Sequence, residues 1–352
     1  MNNTSLEDKK YILRCIQLAK NGFGTTYPNP MVGCVIVHNK KIIGEGWHYK
    51  SGTPHAEVMA INSVKDKKLL SEATLYVSLE PCSYTGKTPP CSDLIIENKI
   101  PRVVVGSTDP HPNVSGKGVK RLKKAGIQVK SGVCKLECDE LNKRFFTFHT
   151  KKRPYILLKW AATKDGYIAP LEQDEGKPFW ITTPISKQLV HVWRSQEASI
   201  LVGTNTVIKD NPRLDTREVY GNNPVRLTID RNLKTPSGHA LLKNDIPTVV
   251  FTSKSKKSLD NLHYEKIDWS KSIPEQILAY CYENQLQSIL IEGGTKLLQS
   301  FIDANLWDEA RVFTGESLLK RGISQPKLNT FPYMVKNSGE DSLSYYKNIM
   351  QE

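Results

Sequence analysis

One imidazole, two thiols and a carboxylate recur in the first third of the chain at a spacing that suits metal-assisted chemistry. His55-Ala56-Glu57 comes first, then Glu80-Pro81-Cys82, and Cys91 closes the set after eight intervening residues. One His and two Cys are what a catalytic zinc takes when its fourth position is left to water. Glu57 is not needed as a ligand. Placed two residues from the His, it could take a proton from a metal-bound water and hand it to a leaving group.

A structural zinc would want a fourth Cys or His, and Cys134 and Cys138 are the available candidates. The elements expected around the set favour the catalytic reading. Gly52-Thr53-Pro54 leads into a helix predicted from Ala56 to Val64, so the His and Glu fall at its start. Thr74–Leu79 reads as a strand that delivers Cys82 from its end, and Cys91 opens another helix. Helix N-termini favour negative charge, which suits thiolates. A first helix capped by Ser5 places Cys15 in the core; a hairpin strand from Val32 to Val37 buries Cys34. With a further strand from Arg102 and a basic helix from Val119 to Ala125, the pattern is a three-layer α/β domain. Asp109 and His111 lie in a loop after a strand end, where ligands gather in such sheets; Asp109 could accept hydrogen bonds from an amino-pyrimidine.

The length of 352 residues favours two domains. No apolar run approaches the ~20 residues of a membrane span, and the N-terminus lacks the apolar core of a signal peptide, so a cytoplasmic protein is expected. Seven scattered cysteines argue against a disulfide framework. The formal charge is +13, and residues 1–150 carry 22 basic against 13 acidic side chains, a field that attracts phosphorylated metabolites or polyanions.

Residues 145–154 read as the join between domains 1–150 and 151–352. Strands are then expected at Tyr155, Ser199, Val225, Thr248 and Ser288, with a helix from Ser186 to Arg194. The stretch from Asn205 leads into a loop carrying Arg213 and Arg217. Gly293-Gly294 opens a helix from Thr295 to Ile302, a strand–Gly–helix unit that lets backbone amides approach a pyrophosphate. Spacing alone names no chemistry for this half.

Taken together, the motifs resemble one family, the bifunctional deaminase–reductase of riboflavin biosynthesis. They are Asn29-Pro-Met-Val-Gly-Cys-Val-Ile-Val, His55-Ala-Glu, the run from Leu79 to Cys91, and Gly116-Lys-Gly. In the second half they continue with Arg153-Pro-Tyr, Lys159-Trp-Ala-Ala-Thr-Lys-Asp-Gly, Trp180-Ile-Thr, Val202-Gly-Thr-Asn-Thr-Val, Asp210-Asn-Pro-Arg-Leu and Glu292-Gly-Gly. The eight-residue gap between the cysteines, long for a generic zinc deaminase, is usual in this family.

The resemblance implies a cytidine-deaminase-like domain followed by a dihydrofolate-reductase-like α/β domain. The first would deaminate 2,5-diamino-6-(5-phosphoribosylamino)pyrimidin-4-one; the second would reduce the ribosyl group to ribityl with NADPH. It assigns zinc to His55, Cys82 and Cys91 and the proton shuttle to Glu57. Asn29, His48, Lys87, Thr88 and Asp109 fall at deaminase substrate positions; Lys159, Arg194, Leu214, Arg217 and Glu292 fall at reductase substrate positions. Ala162, Trp180, Thr206, Asp210 and the helix start Gly294, Thr295, Lys296, Leu297, Leu298, Gln299 and Ser300 fall at cofactor positions. Two residues depart from the family pattern. His111 replaces the usual Asn, altering one base contact, and Pro178 replaces a Ser that would supply a substrate hydroxyl contact.

The expected partner is a phosphorylated small molecule, with neither nucleic acid nor membrane, in a homo-oligomer. Two rival readings keep the zinc core: a nucleic-acid-editing deaminase with an RNA-binding second half, and a zinc-stabilised binding protein. Against the editor, the second half lacks basic–aromatic interleaving.

Overall fold

A computed structural model describes residues 6–84, 89–111, 115–173 and 179–348. The chain divides into two compact units, Met1–Lys152 and Arg153–Glu352.

The first unit runs α1 (Leu6–Ala19), β1 (Gly33–His38), β2 (Lys41–Trp47), α2 (Ala56–Ser63), β3 (Thr74–Leu79), α3 (Cys91–Glu97), β4 (Arg102–Ser107), α4 (Lys117–Lys124), β5 (Gln128–Ser131), α5 (Lys135–Leu141) and α6 (Lys143–Lys151). Its five strands lie in the order β2-β1-β3-β4-β5, with β1 antiparallel to both neighbours and β3, β4 and β5 parallel. Successive strand residues point to opposite faces. Cys34 and Ile36 therefore pack with Ala60, Ile95 and Leu122 on one side, while Val35 and Val37 pack with Ile12, Cys15 and Leu141 on the other. Two helical layers cover one sheet, as the alternation of elements predicts, and Cys15 and Cys34 are core residues.

The second unit runs β6 (Tyr155–Ala162), β7 (Tyr167–Ala169), α7 (Pro184–Gln196), β8 (Ser199–Gly203), α8 (Thr204–Asp210), β9 (Val225–Ile229), β10 (Thr248–Thr252), β11 (Leu262–Lys266), α9 (Ile273–Glu283), β12 (Ser288–Ile291), α10 (Thr295–Asp303), β13 (Glu309–Thr314), β14 (Ile323–Ser324), β15 (Met334–Ser338) and β16 (Asp341–Lys347). Nine strands form one sheet, β11-β10-β9-β8-β12-β6-β13-β16-β15; the first seven are parallel, and β16 and β15 add an antiparallel edge. Ile156, Leu158 and Ile291 face α9 and α10; Leu157, Ile200 and Leu290 face Val190 and Trp193 of α7.

Two stretches gain local detail. The division between the units, Lys152/Arg153, falls inside residues 145–154, and the first part of that stretch belongs to helix Lys143–Lys151, which buries Phe145 and Phe148. The stretch from Asn205 leads into the loop that carries Arg213 and Arg217, and does so from a helix: Thr204–Asp210 is α8, anchored by buried Val207.

Candidate functional site

In the first unit three strand or helix ends converge. His55 occupies the N-cap position of α2, Glu57 lies in its first turn, Cys82 follows β3 and Cys91 is the first residue of α3. His55 Nδ1 is 3.3 Å from Cys91 Sγ and 3.7 Å from Cys82 Sγ, and the three ligand atoms lie within 4.8 Å of one another. The Cys91 backbone N–H donates to Cys82 Sγ at 3.2 Å. The Cys91 thiol, the His55 ring and that N–H favour the Cys82 thiolate and lower its pKa, against the burial that opposes ionisation. A nitrogen, a sulfur poised as thiolate and a second sulfur on a common point are a donor set that fits zinc. Among the described residues no fourth Cys or His joins them. Cys134 Sγ contacts the Lys9 carbonyl, and Cys138 packs under Gly106. The structural-zinc alternative therefore lacks its last ligand.

Glu57 is 3% exposed. Burial pushes its acid up to about 7, opposed by the nearby His55 ring. His48 is also buried, which lowers its pKa and keeps the ring neutral. Its Nδ1 lies 3.2 Å from the Pro54 carbonyl, an acceptor only, so Nδ1 donates there and Nε2 accepts from the Asn29 amide at 3.1 Å. His48 stacks edge-on to His55 at 5.4 Å. Asp109 is buried after β4, its acid pushed up by burial to about 6, and it accepts from the His111 backbone N–H at 2.7 Å. The His111 ring meets His149 edge-on at 4.8 Å. Lys87, Thr88 and Pro178 lie outside the described residues.

The second unit gathers charge at the C-terminal ends of its parallel strands, where open α/β sheets bind ligands. Arg194 on α7 donates from Nε and Nη2 to the two carboxylate oxygens of Glu292, which follows β12, at 2.8 and 2.7 Å. Burial would raise the Glu292 acid, but the Arg194 and Lys159 charges outweigh it and hold it down to about 2. Lys159 on β6 has its own pKa lowered by burial. Asp215 takes Arg217 at 2.6 Å and Arg213 at 2.7 Å, and its carbonyl accepts from Arg194 at 3.4 Å. Leu214, buried between them, has a φ of 53°. Arg217 and Leu214 thus belong to one charged corner with Arg194 and Glu292. Asp215 is the residue the sequence reading missed, although Arg213-Leu-Asp-Thr-Arg217 carries its signal, an acid between two bases.

Thr206 on α8 faces the glycine pair: a Cβ at Gly293 would come within 3.0 Å of its Oγ1, and Gly294 has a φ of 72°. The side chain missing at Gly293 lets the strand end pack directly against Thr206, and the backbone N–H groups at the start of α10 are of the kind that can receive a phosphate. Asp210 accepts from Gln173 at 2.8 Å, Trp180 is 59% exposed under Lys187, and Ala162 ends β6 opposite Thr314. Thr295 Oγ1 bonds the Ser324 carbonyl at 2.6 Å, and Ser300 Oγ bonds Leu297 at 2.7 Å. Gln299 is tied to Asp303, while Leu297 and Leu298 are core side chains. What α10 can offer a phosphate is the backbone around Gly294, Thr295 and Lys296.

Fold and sites together describe a zinc-deaminase domain joined to a nucleotide-dependent reductase domain. Residues 5–107 match the cytidine and deoxycytidylate deaminase zinc-binding region, and residues 154–319 match the RibD C-terminal domain. The riboflavin biosynthesis protein RibD of Aquifex aeolicus is 41% identical over 97% of this chain and 98% of its own; that of Escherichia coli K12 is 34% identical over 94% and 93%. A Thermotoga maritima structure described as a diaminohydroxyphosphoribosylaminopyrimidine deaminase/5-amino-6-(5-phosphoribosylamino)uracil reductase superposes with a TM-score of 0.87 at 37% identity, covering 97% and 98% of the two chains. The chain belongs to the RibD family of bifunctional riboflavin-biosynthesis enzymes, with zinc serving the deaminase domain and NADPH the reductase domain. The second half is therefore a reductase and not an RNA-binding module. No helix among the described residues is long and apolar enough to cross a membrane.

Proposed function

We propose that the first domain, residues 1–150, removes the 2-amino group of 2,5-diamino-6-(5-phosphoribosylamino)pyrimidin-4-one, and that the second, 151–352, then reduces the ribosyl group of the product. The observation that carries the first step is the convergence of His55, Cys82 and Cys91 beside buried Glu57. Those three residues would hold zinc, which when bound would supply a water acidified toward about 7. Glu57 takes a proton from the attacking water and returns it to the departing amine, which leaves as ammonia. Its burial in the first turn of α2, directly after the ligand His55, supports that role. Asp109 and the Asn29–His48 pair orient the pyrimidine.

In the second domain NADPH supplies the hydride when bound, and the sugar C1′ in its ring-opened form receives it. Glu292 is committed to Arg194 with both oxygens and is held ionised, so it has no proton to give at neutral pH. Lys159, with a lowered pKa beside it, is the proton donor in this reading. Arg217 binds the anionic substrate, while Thr206 and the Gly293–Gly294 turn take the cofactor phosphates. The expected setting is a cytoplasmic homo-oligomer, whose subunit number light scattering would report.

A coupled assay tests the order of steps. Ammonia release should precede NADPH oxidation, and Cys82→Ser should stop both unless the deaminated substrate is supplied. NADPH consumption at the wild-type rate by Cys82→Ser on the diaminopyrimidine would refute the order.

A further inference from the structure

The helix α4 begins without a capping side chain. Its N-cap is Gly116, at a φ of 71°, and the first-turn amides of a helix need an acceptor from elsewhere. Glu80 provides one across the sheet. Its Oε1 accepts from the Val119 N–H at 3.0 Å, and its Oε2 accepts from the Gly116 N–H at 2.9 Å and the Asp109 N–H at 3.3 Å. Glu80 is 4% exposed, so these bonds form in a dry setting where a carboxylate acceptor is strong and an orphaned N–H is costly. A second contact presses the same two segments together: a Cβ on Gly118 would lie 2.0 Å from the Pro81 carbonyl oxygen.

The consequence lies in what is attached at either end. Glu80 precedes Cys82 by two residues, and its own N–H donates to the Ser107 carbonyl at 2.9 Å, two residues before Asp109. Cys82 is in turn fixed to the start of α3, where its carbonyl accepts from Ser92 at 3.1 Å. The single carboxylate therefore grips both ends of the loop between β4 and α4, at Asp109 and at Gly116, and ties them to the backbone that carries a metal ligand. Because the Asp109 and Gly116 N–H groups share one oxygen of a buried side chain, Asp109 cannot shift without breaking a bond in a dry setting.

We infer that Glu80 is a positioning residue for substrate binding by the deaminase, acting as a latch that holds the Asp109 loop in register with Cys82. The inference rests on the deaminase reading above. In Glu80→Gln an NH2 group replaces one oxygen and confronts at least one of the three N–H donors, whichever way the amide lies. In Glu80→Asp the charge stays but the side chain is one methylene short of spanning Asp109 and Val119 together.

Two measurements test it. Hydrogen exchange, read without substrate, should show Gly116 and Val119 amides exchanging at least tenfold faster in Glu80→Gln, while β3 amides keep their protection. In steady-state deamination, KM for the diaminopyrimidine should rise about tenfold in Glu80→Gln and less in Glu80→Asp, with zinc content unchanged and kcat falling less than KM rises. Unaltered exchange at Gly116 and Val119 would overturn the latch, whatever the enzyme's substrate proves to be. So would a kcat loss at constant KM that tracks lost zinc, which is the pattern of a merely structural residue. Ammonia release by the wild-type enzyme tests the deaminase reading separately, so the two can fail independently.

Discussion

Arg194 and Glu292 meet fork to fork across 98 positions of sequence, Nε on Oε1 at 2.8 Å and Nη2 on Oε2 at 2.7 Å, with Lys159 as a second cation nearby. Both side chains are buried, so each is tolerable only because of the other. The pair divides the labour of the reductase corner: an anion that stays charged, a guanidinium held in place, and a lysine left to titrate.

Replacing Glu292 with Gln should leave Arg194 and Lys159 as uncompensated buried cations. The carboxyl falls from 4.5 to about 2 on folding, so its stabilisation is full above the unfolded value and drains as pH falls toward 2. That shift corresponds to roughly 3 kcal/mol. Chemical denaturation should find Glu292→Gln less stable by that order at pH 7, with the gap closing below pH 4.5. A gap that ignores pH would contradict the assignment.

Lys159→Met should cost the reductase roughly 10²- to 10⁴-fold in kcat, the usual worth of a positioned acid, while NADPH affinity changes little. Because burial lowers the Lys159 pKa from 10.5, the wild-type kcat should decline on an alkaline limb below that value, and the limb should vanish in the variant. Stopped-flow hydride transfer with the deaminated substrate reads both. A wild-type rate in Lys159→Met would return the proton to another group.

Glu57→Gln keeps shape but cannot accept the water's proton. Zinc should remain at the wild-type content and deamination should fall about 10²- to 10⁴-fold, with the reductase untouched. Near-normal ammonia release by this variant would remove the shuttle role.

How far these sites could be read beforehand depended on where their partners lie. The zinc triad was legible because chemistry restricts its residue types, and because His55 and Cys91 sit at helix starts that local patterning marks. The buried strand around Cys34 was legible from its unbroken apolar run, while which of its residues face which layer came from the structure. Helix α8 was not, since its β-branched Thr206-Val207-Ile208 run before Asn211-Pro212 reads as the approach to a loop; burial of Val207 against the sheet decides otherwise. The join at residues 145–154 was legible, but not that its first part is helical, with Phe145 and Phe148 buried three residues apart on one helix face. Glu80 stood in the motif beside Cys82 but its role was invisible, because it accepts from backbone N–H groups 29, 36 and 39 residues away and leaves no mark in side-chain types. Arg194 and Glu292 were named only through family resemblance, and their pairing not at all, since nothing local links positions so distant.

Removal of the metal separates the two activities. Dialysis against a strong chelator should abolish ammonia release and leave NADPH-dependent reduction of the deaminated substrate at its original rate, because His55, Cys82 and Cys91 lie in one compact unit and Lys159, Arg194 and Glu292 in the other. Parallel loss of both rates would contradict that division.

The most direct test of the account is elemental analysis of the purified enzyme alongside ammonia release, in wild type and Cys82→Ser. One zinc per chain in the wild type, with metal and deamination lost together in the variant, is the predicted result. Ammonia released at the normal rate by protein that contains no zinc would contradict it.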